Sequence, residues 1–268
     1  MKPLGTAILG ELIGTFLIVF FGCGCVSAAI TTGAQSGVFQ VAIVWGLAVA
    51  IAIHCTAALS GAHLNPAVTL AATVWQGFHK GRVLPYLGAQ MLGGFLAAAA
   101  VYVMFGDAIS VFESTNHLTR GLPGSEASAA VFGEFFPSPG GKPLSEAPAI
   151  VSLWRAFGIE VICTAVLLLV IFSVTDPKNQ ERPQGLAPAY IGLTVTMLIS
   201  LVGPLTMACF NPARDLAPRL FSSLAGWGSI PFTANGSGWF VVYVLGPILG
   251  GIIGGGLHRF LLKGRYAH

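Results

Sequence analysis

At 268 residues the chain is long enough for one or two ordinary soluble domains, but its composition excludes that reading. Only 9% of the residues are charged, against roughly 25% in a typical globular protein, while 54% are hydrophobic and the mean hydropathy is +0.79. The net charge of +3 is too small and too dispersed for a nucleic-acid surface, so the lipid bilayer is the natural solvent.

Long stretches lack Asp, Glu, Lys and Arg altogether: 12–79, 83–106, 183–213 and 220–258. A membrane-spanning helix needs about 20 mainly apolar residues. On that measure full spans are predicted near 6–30, 38–59, 83–105, 152–174, 186–206 and 239–262. The first carries Glu11 and has only Lys2 ahead of it, so it reads as a retained span rather than a cleaved signal peptide. Two further pieces, 65–78 and 211–222, look helical but are too short to cross alone. Each opens with the same tripeptide, Asn65-Pro66-Ala67 and Asn211-Pro212-Ala213. Asn is a favoured N-cap, and Pro is favoured at the first helical position, where its missing N–H would have no partner anyway. Two half-helices are therefore expected to start inside the membrane. Non-helical backbone at that depth persists only when buried in protein or lining a watery cavity, which points to a pore or a transport site.

Basic residues set the orientation. Lys2, Lys80, Arg82, Lys178, Arg182, Arg259, Lys263 and Arg265 lie at the N-terminus, the second and fourth connections and the C-terminus, so both termini are expected in the cytoplasm. The connection 106–150 carries five acids, among them Glu113 and Glu134, against Arg120 and Lys142. It is expected to be an extracellular or periplasmic loop and the only sizeable extramembrane segment. The five cysteines, Cys23, Cys25, Cys55, Cys163 and Cys209, sit in apolar stretches and read as reduced packing residues, neither disulfides nor metal ligands. The glycine-rich run GPILGGIIGGG (246–256) reads as close helix packing rather than a phosphate loop.

The two halves repeat one pattern. In GELIGTFLIVF, Glu11 stands four residues before Thr15; in GIEVICTAVLLLV, Glu160 stands four before Thr164. Each half holds three spans, with a half-helix after the second. Because three is odd, the second copy (151–262) must be inserted upside down relative to the first (5–105). Inverted repeats with broken helices at their interface are a transporter and channel pattern.

The strings SGAHLNPAVT (60–69), GPLTMACFNPARDLAPRLF (203–221) and AGWG (225–228) resemble the aquaporin family, specifically its aquaglyceroporin branch. The resemblance covers about residues 5–262. It implies an all-α membrane protein with six transmembrane helices and two re-entrant half-helices, one pore per subunit, assembled as a homotetramer in the plasma (inner) membrane. It also implies a channel rather than an enzyme, with no cofactor. Asp215 after Arg214 is what the glycerol branch shows where strict water channels usually carry a small hydroxyl residue.

The pore chemistry follows from the residues. Asn65 and Asn211 would donate amide hydrogen bonds to a passing water or hydroxyl oxygen. The two half-helix N-termini present positive dipole ends of roughly half a charge each, which exclude cations and raise a barrier to protons. Gly61-Ala62-His63 and Met207-Ala208-Cys209 would line one wall with carbonyl acceptors, opposite an apolar wall, so that a polyol slides with carbons on one side and hydroxyls on the other. Arg214 is the strongest single candidate, because an Arg at membrane depth is costly and usually functional; the bland alternative pairs it with Asp215 on a helix surface. Matched to the family's constriction, the filter positions fall on Trp45, Ile199, Ala208 and Arg214. The glycerol facilitator pattern has Gly and Phe where this chain has Ile199 and Ala208, and strict water channels have His at the first of them. The set is similar to the plant nodulin-26-like branch, and Tyr243-Val244 also departs from the usual Pro-Leu. The resemblance gives Glu11 and Glu160 a scaffold role, accepting backbone N–H groups of the loops. The reading is a passive channel for glycerol, water, small polyols and other neutral solutes. Its alternatives are a metalloid-hydroxide, urea or ammonia channel and, more distantly, a coupled secondary transporter.

Overall fold

The computed structural model describes residues 2–35 and 37–266. Among these residues all regular structure is helical, with no β-strand. Six helices are long and apolar enough to cross a membrane: α1 (Leu4–Thr32), α2 (Val38–Ser60), α4 (Lys80–Thr115), α5 (Leu153–Thr175), α6 (Gln184–Thr206) and α8 (Gly238–Arg265). Between them sit two short helices, α3 (Pro66–Trp75) and α7 (Pro212–Ser222).

α1 packs on α4 and α2, α2 on α6, and α5 on α8, while α3 lies against α8 and α7 against α4. Glycines make these crossings close. A Cβ on Gly250 or Gly254 of α8 would run into the backbone carbonyls of Val161 or Ala165 on α5, and one on Gly93 of α4 into that of Leu12 on α1. Without a hydrophobic drive between helices in lipid, such close packing supplies the contact energy. The run 246–256 is thus a packing surface, and Gly251 rests on the Ala67 carbonyl of α3.

Two expectations change. The third span does not end at 105 but continues as helix to Thr115, carrying Asp107 and Glu113 with it. Glu113 loses little by this, because Arg120 Nη2 donates to its Oε2 at 2.8 Å and the Ser128 hydroxyl donates to its Oε1 at 2.7 Å. The connection after it is also more buried than its acids suggest. Residues 125–136 are buried throughout, with Phe132, Phe135 and Trp227 at the centre of one of the three apolar clusters.

The cysteines are free thiols; Cys23, Cys25, Cys163 and Cys209 are buried and Cys55 is exposed on α2.

Candidate functional site

Both half-helices begin as their sequences dictate. Asn65 Oδ1 accepts the Ala67 N–H at 2.8 Å, and Asn211 Oδ1 accepts those of Ala213 and Arg214 at 3.0 and 3.3 Å, with Pro at the first helical position of each. The two caps are also tied to each other's loops. Asn65 Nδ2 donates to the Phe210 carbonyl and Asn211 Nδ2 to the Leu64 carbonyl, both at 2.8 Å. Each amide keeps a second N–H, and both asparagines line a common internal cavity of about 790 Å³.

The segments leading into the caps are matched position by position. Four, three and one residues before each Asn, the backbone has positive φ: Gly61 (87°), Ala62 (51°) and Leu64 (51°) in one loop, Met207 (59°), Ala208 (63°) and Phe210 (54°) in the other. Five of these six are not glycine, and such residues cost on the order of 1–3 kcal/mol each, so the surroundings must enforce them. Two buried carboxylates do so. Glu11 accepts the His63 and Leu64 N–H groups at 2.9 and 2.7 Å; Glu160 accepts those of Cys209 and Phe210 at 3.1 and 2.9 Å. Gln90 Nε2 and the Thr206 hydroxyl donate to the same carboxylates, each at 2.7 Å. Ser60 and Thr206 hydroxyls receive the Ala62 and Ala208 N–H groups.

Gly61, Ala62, His63, Ala208 and Cys209 line the cavity, whereas Met207 does not. Its sulfur instead accepts the Phe135 N–H at 3.3 Å, anchoring the long connection over the loop. The His63 ring is held by Thr69 at 3.2 Å and packs on Phe78 and Tyr86. Ile18, Val49, Val68, Leu167 and Val195 add aliphatic side chains to the lining.

Trp45, Ile199, Ala208 and Arg214 all reach this cavity. The Arg214 guanidinium carbon lies 4.1 Å from the centre of the Trp45 ring, a cation–π contact. Gly22 seats that ring, since a Cβ there would collide with the indole. Arg214 is not paired with Asp215. Its Nη2 lies 2.7 Å from Glu134 Oε1, while Asp215 binds Arg219 through both carboxylate oxygens, at 2.9 Å to Nε and 2.7 Å to Nη2. Sequence reasoning placed Glu134 in an external loop; its isolation inside the apolar run AAVFGEFF was the available signal. Asp176 and Lys263, which lie 3.6 Å apart, also line the cavity.

Six apolar crossings around a shaft bounded by two capped half-helices define a multi-pass membrane protein of the re-entrant, broken-helix class. The sequence pattern of "Major intrinsic protein" matches residues 2–258, and the chain belongs to that family. It is similar to the glycerol uptake facilitator protein of Pseudomonas aeruginosa, with 42% identity over 95% of this chain and 88% of the relative. The Escherichia coli protein of the same name is 40% identical over 95% of this chain and 87% of its own length. Among solved structures the X-ray structure of the aquaglyceroporin from Plasmodium falciparum superposes with a TM-score of 0.84 at 28% identity, covering 98% and 99% of the two chains. The fold is that of an aquaporin-like channel.

Proposed function

We propose that this chain is a passive channel for glycerol, water and other small uncharged solutes, and not an enzyme. What supports the reading is the mixed lining of the cavity, in which the cap loops and both asparagines share the wall with aliphatic side chains, Trp45 and Arg214, the guanidinium carbon of Arg214 lying 4.1 Å from the Trp45 ring centre. A triol fits such a surface because its hydroxyls replace water's hydrogen bonds while its carbons stay in apolar contact. The names of the bacterial relatives agree with glycerol as the solute.

In this reading Trp45, Ile199, Ala208 and Arg214 form the selectivity filter. Asn65 and Asn211 hold the solute oxygen at the meeting of two positive helix ends, which reject protons and cations. Glu11 and Glu160 support the loops. The two halves are inverted repeats joined by an extracellular or periplasmic connection that follows the helix ending at Thr115. The termini are cytoplasmic in the plasma membrane, and four copies assemble.

Ile199 and Ala208 favour a second reading, since they depart from the glycerol pattern: a channel for metalloid hydroxides, urea or ammonia. Stopped-flow light scattering on proteoliposomes separates the two. Non-saturating, proton-tight glycerol flux, reduced in Arg214→Ala, supports the first. Metalloid flux with glycerol at the empty-liposome rate supports the second, and saturable flux driven by a proton or sodium gradient overturns both.

A further inference from the structure

The side chain of Glu134 is fully buried, yet its carboxylate reaches the one cation on the filter wall, with Oε1 2.7 Å from Arg214 Nη2. Glu134 is not part of the cavity wall, so no solute touches it. Its position is imposed from the backbone. The Glu134 N–H donates to Asp215 Oδ1 at 2.7 Å, its carbonyl accepts from Arg219 Nη2, and the next N–H, that of Phe135, donates to the Met207 sulfur. The guanidinium of Arg214 is therefore held between an indole ring on one face and a carboxylate at its edge.

The neighbouring buried charges are already engaged. Asp215 is taken up by Arg219, and Glu160 by two loop N–H groups and the Thr206 hydroxyl. Without Glu134, Arg214 would stand as an unmatched cation in the first turn of α7, where the helix dipole adds positive potential of its own. A positive constriction with low-dielectric walls concentrates small anions, and an anion resting on Arg214 would occupy the donors a hydroxyl needs.

We propose that Glu134 is a specificity-determining positioning residue that turns the Arg214 filter into a neutral ion pair, so that the pore carries hydroxylated solutes without collecting small anions. This rests on the filter role given to Arg214 above.

The test measures glycerol and water flux in proteoliposomes in potassium thiocyanate against potassium gluconate of equal ionic strength. Wild-type flux is expected to be the same in both salts. In Glu134→Gln, thiocyanate at about 0.1 M is expected to cut flux at least about two-fold. Glu134→Asp, which keeps the charge, restores indifference, and Glu134→Gln with Arg214→Gln loses the block because the cation is gone. Glu134→Ala, which leaves room for water beside the guanidinium, stands in where Glu134→Gln does not assemble. A neutral variant that conducts equally in both salts overturns the proposal. Absence of glycerol flux in the wild type counts against the glycerol reading alone, since the anion test is still read on water.

Discussion

Replacing Glu160 by Gln is the sharpest probe of how the re-entrant loops are held. Glu160 Oε1 accepts two groups, the Cys209 N–H and the Thr206 hydroxyl, and Oε2 accepts the Phe210 N–H. A glutamine keeps one acceptor. With its oxygen at the Oε1 position it preserves two of the three bonds and sets an NH₂ against the Phe210 N–H. One charge-assisted bond is lost and a buried donor is stranded, a cost of about 1.5–3 kcal/mol. At the 2–4 °C per kcal/mol roughly expected for a chain of this size, the apparent Tm in detergent falls by about 3–12 °C. The effect does not stay local. The Phe210 carbonyl receives the Asn65 amide, and Phe210 itself sits at a φ of 54°. Loosening it moves the opposite half-helix cap, so glycerol flux falls as well. Thermal unfolding followed by tryptophan fluorescence and stopped-flow flux on the same preparation read both effects. A Glu160→Gln protein with wild-type midpoint and wild-type flux, but altered proton leak, would refute the scaffold argument and favour a proton relay.

Three further outcomes are expected. Gly22→Ala drives the Trp45 ring off its seat and into the cavity; glycerol flux should drop about ten-fold, the loss of roughly 1.4 kcal/mol in barrier terms, with water flux less affected. Asp215→Ala strips the buried Arg219 of its two carboxylate contacts and frees the Glu134 backbone. Breaking a buried pair from one side costs about 3–5 kcal/mol, so this variant should assemble poorly, as read by gel filtration of the detergent extract. Cys55 should react with an apolar maleimide in the folded protein while Cys23, Cys163 and Cys209 stay protected until denaturation; mass spectrometry of labelled peptides decides it.

The spans and the two half-helices were legible because a bilayer writes them in charge-free stretches and because Asn-Pro starts a helix by a local mechanism. Helix ends were less legible. Charge at Asp107 and Glu113 marks the end of apolar sequence, whereas the α4 helix ends at Thr115, beyond the point where Arg120 and Ser128 make an acid tolerable. The left-handed loop positions were invisible for a related reason. Ala62, Leu64, Ala208 and Phe210 have no intrinsic preference for positive φ; carboxylates 49 to 53 residues away hold the Leu64 and Phe210 N–H groups and those just before them, and the Ser60 and Thr206 hydroxyls hold those of Ala62 and Ala208.

The proposed filter shows the same division most clearly. Arg214 stood out in its own sequence, because a cation close behind an Asn-Pro-Ala cap at membrane depth is costly. Its counterion was not, because adjacency on the chain pointed to Asp215, and helical geometry forbids that choice. Residues i and i+1 point away from each other on a helix, whereas i and i+4 stack, so Asp215 falls to Arg219 and Arg214 must find a partner from outside α7. That partner arrives on the most variable kind of segment, a long connection between the two halves. Its approach is guided by contacts to a methionine sulfur, a proline carbonyl and Asn235, none of which carries a local signature. The cap loops are thus encoded symmetrically and twice, while the counterion of Arg214 is encoded once, by tertiary packing. Replacing Glu134 should therefore change which solutes pass, whereas substitutions of its buried neighbours Phe132 and Phe135 should destabilise the fold itself.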